Sequence, residues 1–376
     1  MKYIDEFRDP QLARRLVEQI RAEATRSIRL MEFCGGHTHA IFRFGLRELL
    51  AGSVELRSGP GCPVCVTASA DLDYAIALAD QPGVILATFG DMLRVPGSRG
   101  TLQAARARGS DVRVVYSPLD ALGIARDHPA HELVLLGVGF ETTAPGIAAA
   151  LIQAAEEGVG NFSVFSLHKL TPPAMRAILD AGEVALDGII GPGHVSTIIG
   201  SAAWDFLPRE YGMPCAISGF EPLDLLGAIA ALVRAVGAGK PSVINAYARG
   251  VRPQGNPIAQ TMLARVFDVG EAEWRGFGPI PQSGLSLNAA FAAYDARRRF
   301  PADVPPGREP PGCRCGAVLR GMLSPDACPL FRKLCSPRNP VGPCMVSAEG
   351  ACAAYYHYGV GLDIDAGARI QEHADG

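Results

Sequence analysis

The sequence has little charge, and the charge it has is nearly balanced. Charged residues make up 19% of the 376 residues, and 35 lysines and arginines stand against 38 aspartates and glutamates, for a net charge of −3. The chain lacks a basic run that could follow a phosphate backbone, so nucleic acid is not an expected partner. It also lacks an apolar signal segment and an uninterrupted apolar run of the roughly 18 residues that a membrane span requires. We therefore expect a cytoplasmic protein without a membrane partner.

What the chain does have is a large apolar fraction and unevenly spaced cysteines. Hydrophobic residues make up 48% of the sequence, and its length predicts two or three domains, at roughly 150 residues each. Six of the ten cysteines fall between residues 313 and 352. Without a secretory signal, such clustering favours metal or redox chemistry over structural disulfides.

Short β-like runs alternate with helical stretches along most of the chain. Asp9 and Pro10 begin a predicted amphipathic helix over residues 9–27. Its predicted apolar stripe is Leu12, Leu16, Ile20 and Ala24. The candidate strands are Ile28–Phe33, Val54–Arg57, Val84–Thr88, Val112–Tyr116, Leu133–Val138, Phe162–Leu167, Gly188–Gly191 and Cys215–Ser218. Strands separated by helices predict an α/β fold with parallel sheets covered on both faces.

Two pairs of motifs echo one another. Ser58–Cys65 (SGPGCPVC) resembles Ile190–Thr197 (IGPGHVST), and Gly139–Pro145 (GFETTAP) resembles Gly219–Asp224 (GFEPLD). This echo favours two Rossmann-like domains of related architecture. A Pro-rich stretch, PADVPPGREPPG, is typical of a linker or extended arm before the cysteine cluster.

The motif Cys34–His39 (CGGHTH) follows a predicted strand and begins a predicted helix. A thiol at a helix N-terminus near histidines has a lowered pKa and can act as a nucleophile or a soft metal ligand. Gly35 and Gly36 allow a ligand to approach the backbone, and His37 and His39 can donate hydrogen bonds or bind metal. The alternative is a buried cysteine in a glycine turn.

Cys62 and Cys65 form a C-x-x-C motif between a predicted strand and a predicted helix. This spacing suits a reversible disulfide or two thiolate ligands, with inert thiols in a tight turn as the alternative. Glu141 follows the predicted strand Leu133–Val138, at the end where α/β sheets bind ligands, and we count it among the candidate catalytic residues, with a solvated or capping residue as the alternative. The surrounding GVGFET lacks the third glycine of a dinucleotide fingerprint.

The C-terminal cysteines fit neither common ferredoxin spacing, and no histidine lies among them to complete a zinc finger. An iron–sulfur cluster with four thiolate ligands would leave two cysteines for redox exchange. We expect such a cluster, with a zinc site as the alternative. Cys215, in a predicted buried strand, is expected to be a core thiol.

The motifs CGGHTH, GPGCPVC and GFETTAP and the six-cysteine tail closely resemble the HypD family of hydrogenase maturation factors, over essentially the whole chain. The resemblance implies a scaffold on which the Fe(CN)2CO unit of [NiFe]-hydrogenases is assembled. It implies a HypC-type chaperone and a HypE-type cyanide donor as partners, and a transient link to the hydrogenase large-subunit pathway. It also implies α/β domains that face each other and a [4Fe-4S] domain. The expected transfer of electrons between cluster and cysteines is similar to that in ferredoxin:thioredoxin reductase.

The resemblance also implies roles for particular cysteines. The cluster pattern of the family falls on Cys313, Cys328, Cys335 and Cys352. Cys315 and Cys344 are then left as a possible second redox pair. By the same resemblance, Cys34 is a ligand of the iron being assembled, and Cys62 and Cys65 are a redox or iron-binding pair.

Two classes of function remain open, and with them the question of whether the protein is an enzyme. One is an assembly scaffold whose cysteines hold iron until it is transferred. The other is a thiol/disulfide reductase in which a cluster reduces Cys62 and Cys65 and Cys34 attacks a substrate.

Four segments are predicted along the chain. Residues 1–30 form a helix that packs on the C-terminal domain, and residues 31–117 and 118–236 form the two α/β domains. Residues 237–376 form the iron–sulfur domain, joined to the rest by the N-terminal helix.

Overall fold

The computed structural model of the chain describes residues 5–359. The fold is α/β, as the alternating pattern predicts. The strands are β1 (Ile28–Glu32), β2 (Val54–Ser58), β3 (Val84–Thr88), β4 (Asp111–Val114), β5 (Glu132–Gly137), β6 (Phe162–Ser166), β7 (Gly188–Pro192), β8 (Cys215–Ser218), β9 (Val243–Asn245), β10 (Phe267–Trp274) and β11 (Gly278–Leu287). The predicted strands therefore exist, with ends that differ by at most two residues.

Two parallel sheets and one hairpin organise these strands. The first sheet has the order β2-β1-β7-β8-β9 and the second has the order β4-β3-β5-β6, and all of their neighbouring strands are parallel. Strands β10 and β11 pair in an antiparallel hairpin. Nearly every residue of β3, β5 and β7 is buried, as expected for parallel strands covered by helices.

Helices of very different lengths connect and cover the sheets. They are α1 (Pro10–Glu23), α2 (Gly35–Arg43), α3 (Leu46–Leu49), α4 (Pro63–Val66), α5 (Ser69–Ala79), α6 (Leu102–Ala107), α7 (Pro118–Asp127), α8 (Ala144–Glu157), α9 (Thr171–Ala181), α10 (Gly193–Ile199), α11 (Phe206–Tyr211), α12 (Pro222–Gly237), α13 (Pro257–Val266), α14 (Ala296–Arg299), α15 (Cys315–Leu319) and α16 (Ala351–Tyr358). The start of α1 is as predicted, because the Asp9 carboxylate accepts hydrogen bonds from the backbone N–H groups of Gln11 and Leu12 at 2.8 and 3.1 Å.

The sheets divide the chain differently from the predicted boundaries at residues 117 and 118. The chain leaves the first sheet after β2, builds the whole second sheet from β3 to β6, and returns to the first sheet at β7. The ranges 31–117 and 118–236 therefore each contribute strands to both sheets. Of the similar motifs, Ser58–Cys65 and Ile190–Thr197 lie at the ends of β2 and β7 in the first sheet, whereas Gly139–Pro145 follows β5 of the second sheet and Gly219–Asp224 follows β8 of the first. Strand order depends on long-range pairing, which local periodicity does not encode.

The N-terminal helix packs on α12 of the first sheet, and not on the C-terminal domain as predicted. Its buried face consists of Ala13, Val17 and Ile20, which share a core with residues of α12 such as Leu225. Leu12, which belongs to the predicted stripe, remains 44% exposed. Ile20 of the predicted stripe is fully buried, and Leu16 and Ala24 are partly buried against the same core, so the buried face overlaps the predicted stripe and is rotated away from Leu12. Residues 1–4 lie outside the described part of the chain.

The range 237–376 does not form one separate unit in its described part. Strand β9 completes the first sheet, and the β10–β11 hairpin packs on α9. The cysteine-rich segment, defined here as residues 313–358, packs against α2 and α4, while residues 360–376 lie outside the described part. Between residues 5 and 359, no helix combines the length and the apolar character needed to cross a membrane.

Candidate functional site

The loop that follows β1 lies where the strand order of the first sheet reverses. From β1 the chain proceeds to β2 on one side, whereas β7, β8 and β9 extend the sheet on the other side. A parallel sheet binds ligands in the crevice outside the carboxyl ends of its strands at such a point. Cys34 stands directly after β1 and begins α2, so the fold puts its thiol at this crevice.

Two glycine loops join Cys34 to the C-x-x-C motif. The backbone N–H of Gly35 donates to the carbonyl oxygen of Gly61 at 2.8 Å. A Cβ atom at Gly61 would lie 2.3 Å from the backbone nitrogen of Cys34, so only glycine fits between the loops. The loops after β1 and β2 therefore pack backbone against backbone.

Cys62 and Cys65 form a disulfide, with their Cα atoms 5.2 Å apart. Cys62 precedes α4, and its Sγ accepts a hydrogen bond from the backbone N–H of Cys65 at 3.2 Å. Both residues are buried, at 3% and 0% exposure. The structure thus holds the oxidised form of the predicted redox pair.

The environment of Cys34 raises the pKa of its thiol, contrary to the prediction. Burial is the main cause of a pKa of about 12, and the carboxyl groups of Glu349 and Glu32 add to it. Hydrogen bonds from the backbone N–H groups of Gly36 and His37 lower the pKa, but by less. The helix N-terminus therefore does lower the pKa of Cys34, but burial raises it by more.

Two glutamates flank Cys34, and the first of them, Glu32, is buried. Glu32, in β1, accepts hydrogen bonds from the Cys34 backbone N–H at 2.8 Å and from the Thr38 hydroxyl, and burial raises its pKa to about 7. Glu349, in the cysteine-rich segment, lies so close that a Cβ at Gly35 would be 2.4 Å from its own Cβ. Sequence analysis missed both, although an acidic residue inside the apolar run IRLMEF is a signal for Glu32.

The two histidines of the motif hold the loop in different ways. His37 is buried, and its Nε2 donates to the carbonyl oxygens of Ser218 and Gly219, 3.2 and 3.0 Å away. Burial lowers the pKa of His37 to about 4, so its ring is neutral at physiological pH. His39 is half-buried and packs edge-on against Tyr358, and burial lowers its pKa too. His37 therefore ties α2 to the end of β8.

Glu141, predicted to be catalytic, caps a helix instead. Its two carboxylate oxygens accept hydrogen bonds from the backbone N–H and the hydroxyl of Thr171, at 2.7 and 2.9 Å. Thr171 is the first residue of α9. Burial raises the pKa of Glu141 to about 7. These contacts place Glu141 at the start of α9.

The four cysteines expected to bind a cluster line one cavity. Cys313, Cys328, Cys335 and Cys352 all face it, together with Cys315. Four thiols around one cavity fit an iron–sulfur cluster by donor chemistry, because thiolates are the ligands that such clusters take. Among residues 5–359, no three His, Cys, Asp or Glu side chains are placed to hold a single metal ion.

Cys315 and Cys344, the possible second redox pair, are hydrogen-bonded to each other through their thiols. Cys352 joins them, and hydrogen bonds from both lower its pKa while the same group of contacts raises the pKa of Cys344. Next to Cys344, the carbonyl oxygen of Pro343 lies 3.9 Å from Cys65 Sγ. The cysteine-rich segment therefore touches the Cys62–Cys65 disulfide directly.

The arrangement defines a class: an α/β protein with a thiol site at the switch point of a parallel sheet and a cysteine-rich segment packed beside it. Comparison with known proteins gives the family. The chain belongs to the HypD family, since the family model described as "Hydrogenase formation hypA family" matches residues 11–359.

Full-length relatives agree. The chain is 54% identical over 368 residues to the hydrogenase maturation factor HypD of Azotobacter vinelandii, covering 96% of this chain and 97% of the relative. It is 49% identical over 374 residues to HypD of Cupriavidus necator, covering 97% and 99%. It is 44% identical over 366 residues to HypD of Escherichia coli K12, covering 95% and 98%. The expected family is thus confirmed.

Proposed function

We propose that this protein is a cytoplasmic scaffold on which the Fe(CN)2CO unit of a [NiFe]-hydrogenase is assembled. Iron is the substrate, and Cys34 binds it together with a HypC-type chaperone, with Cys62 and Cys65 as the neighbouring redox or ligand pair. A HypE-type partner delivers cyanide, and the finished unit passes to the hydrogenase large-subunit pathway.

One observation carries this proposal: the loops of Cys34, Cys62 and Cys65 pack on each other and against the cysteine-rich segment, which is distant from them in sequence. Gly61 packs against the backbone of Cys34, and Cys65 Sγ lies 3.9 Å from Pro343 of the cysteine-rich segment. Thiolates are the soft donors that suit low-spin iron, and a neighbouring dithiol can exchange electrons. The site therefore combines a thiol suited to hold iron with a cysteine pair that can exchange electrons.

The pKa of Cys34 favours a metal ligand over a free nucleophile. A thiol with a pKa of about 12 is protonated at neutral pH and attacks poorly, but a soft metal ion displaces the proton on binding. The N–H groups of Gly36 and His37 then stabilise the thiolate. Glu32, with a pKa of about 7, is the adjacent carboxyl group that can take up the proton.

The proposed resident cofactor is a [4Fe-4S] cluster held by Cys313, Cys328, Cys335 and Cys352. When bound, the cluster supplies single electrons. The step at the chain's own residues is the opening of the Cys62–Cys65 bond, which would take up two electrons, in two single-electron transfers from an external electron donor, and two protons from solvent, and would yield two thiols. Cys315 and Cys344 offer a second thiol pair beside it.

The second candidate function is that of a thiol/disulfide reductase. The contact between the disulfide and the cysteine-rich segment favours it, because a cluster beside an exchangeable disulfide is the arrangement that such a reductase needs. In this alternative the substrate is an external disulfide. The reduced Cys62–Cys65 pair supplies the electrons, and the Cys34 thiol attacks the substrate.

The test compares Cys34→Ala with Cys215→Ala, both isolated anaerobically together with the chaperone. Cys215 is a matched control, because it is a fully buried core thiol in β8, as predicted. We expect Cys34→Ala to lose the infrared bands of metal-bound cyanide and CO and to fail in hydrogenase maturation, yet to keep the brown colour of the cluster. The Cys215→Ala protein should keep all three properties.

Two outcomes would contradict the proposal. Cyanide and CO bands of wild-type intensity in Cys34→Ala would mean that the iron is bound elsewhere. Wild-type protein that shows no such bands with its chaperone, but turns over a small disulfide substrate, would favour the reductase.

A further inference from the structure

The turn between β10 and β11 connects the two cysteine regions. Trp274 pairs with Thr67, directly after α4, in an isolated antiparallel bridge, and the backbone N–H of Arg275 donates to the Val66 carbonyl oxygen at 2.9 Å. On its other side, Gly276 packs on Gly316 of α15 so closely that a Cβ at Gly276 would lie 2.5 Å from the Gly316 Cα. We call residues 274–276 the bracket.

Arg275 anchors the bracket. Its side chain is 0% exposed, and its guanidinium donates to the carbonyl oxygen of Thr67 at 2.8 Å, to that of Pro96 at 3.3 Å and to a carboxylate oxygen of Glu309 at 2.8 Å. The other oxygen of Glu309 accepts a hydrogen bond from the Ser69 hydroxyl at 2.8 Å. A buried guanidinium with this many fixed partners has one orientation.

We propose that Arg275 is a positioning residue for the Cys62–Cys65 disulfide, holding the end of the C-x-x-C helix against the cysteine-rich segment and thereby setting the equilibrium between disulfide and dithiol. The inference rests on the proposed redox role of this pair and deepens it. It adds a residue that sequence analysis did not single out and that touches neither sulfur.

The physical reason is the effective concentration of one thiol beside the other. Helix α4 has only four residues, and its last residue and the next are the ones that Arg275 holds. With the helix end fixed, the two thiols of the reduced pair stay close, which favours disulfide formation. Releasing the helix end lets them separate and shifts the equilibrium toward the dithiol.

The experiment measures this equilibrium in dithiothreitol buffers, using the full-length, cluster-loaded protein under anaerobic conditions. Dithiothreitol gives two electrons and two protons to the pair: the Cys62–Cys65 bond breaks, two S–H bonds form, and dithiothreitol closes into its cyclic disulfide. Differential alkylation and mass spectrometry of the peptide that carries both cysteines report the fraction reduced. We expect Arg275→Gln to shift the equilibrium about tenfold toward the dithiol, equivalent to ~30 mV.

Arg299→Gln is the matched control. Arg299 also binds two carbonyl oxygens, of Gly160 and Phe162 at 2.9 and 3.0 Å, and the carboxylate of Glu132, all around the amino ends of β5 and β6. Its loss removes the same kinds of bonds without touching the bracket, so the equilibrium should stay at its wild-type value. Glu309→Gln, at a half-exposed position, leaves the carbonyl contacts of Arg275 in place and should shift the equilibrium in the same direction by less.

An unchanged equilibrium in Arg275→Gln, or an equal shift in Arg299→Gln, would overturn the inference. If Arg275→Gln does not fold, a wild-type equilibrium in Glu309→Gln and Arg275→Lys would overturn it in the same way. A wild-type pair that stays oxidised in every buffer would instead remove the redox role in the proposed function, which is a distinguishable result.

Discussion

Replacing Glu141 by glutamine tests whether this residue is a helix cap or a catalytic acid. The carboxyl group is buried, and both of its oxygens accept hydrogen bonds from Thr171. Glutamine has nearly the same shape. Its carbonyl oxygen can accept from the Thr171 N–H, and its amide can donate to the Thr171 hydroxyl oxygen, so the cap should survive.

The magnitude follows from the raised pKa. An ordinary glutamate has a pKa of 4.5, and burial raises that of Glu141 to about 7. Between these values the native protein keeps a proton that the unfolded chain releases, so the free energy of unfolding falls as pH rises. The loss reaches about 3 kcal/mol at most, because each pKa unit corresponds to about 1.4 kcal/mol. Glutamine carries no such proton and should not show this loss.

The assay is urea denaturation of wild type and Glu141→Gln at pH 5 and pH 8. We expect the stability of the variant relative to wild type to rise between these pH values, by up to about 3 kcal/mol, with hydrogenase maturation unchanged. Taking the difference between the two proteins cancels other buried groups, such as Glu32. A difference that is independent of pH would refute the pKa argument, and loss of maturation in a stably folded variant would refute the capping role.

Two further substitutions probe the fold around the site. Gly61→Ala should abolish maturation, because its Cβ would lie 2.3 Å from the Cys34 nitrogen, whereas Gly160→Ala meets no atom within 4 Å and should behave as wild type in the same cellular assay. Wild-type maturation in Gly61→Ala would show that the two loops can move apart. Ile20→Ala, on the buried face of α1, should lower the free energy of unfolding by about 2–5 kcal/mol, and Leu12→Ala on the exposed side by less than ~1 kcal/mol, as measured by urea denaturation. Equal losses would contradict the observed orientation of α1.

Local patterns in the sequence predict the elements well where burial is uniform. Val84–Thr88 and Cys215–Ser218 are strands with the predicted bounds, since short apolar runs between turn residues suit strands that are covered on both faces. The buried face of α1 is harder to predict, because alanines and aliphatic residues on neighbouring faces of the helix give two overlapping apolar stripes. Packing on α12 determines that Ala13, Val17 and Ile20 are the buried residues of the helix.

In the site, too, sequence predicts some features and misses those that depend on the tertiary fold. Motifs identified the thiols of Cys34, Cys62 and Cys65, because their chemistry is carried by the residue type. The pKa of Cys34 was predicted in the wrong direction, since burial and the approach of Glu349 from a distant part of the chain depend on the tertiary fold. Sequence analysis did not identify Arg275 for the same reason, since all of its hydrogen-bond partners lie elsewhere in the sequence.

The chain forms the whole second sheet between β2 and β7 of the first sheet, and this order affects how the protein folds during translation. β1 pairs with β2 and then with β7, which begins only at residue 188, whereas the four strands of the second sheet all end by residue 166. A chain emerging from the ribosome can therefore pair all strands of the second sheet before β7, the central strand of the first sheet, has been made. Until then β1 and β2 form a two-stranded piece, too small to be stable alone. The thiol crevice is therefore completed only after β7 and then the cysteine-rich segment have been made, when translation is well past the middle of the chain.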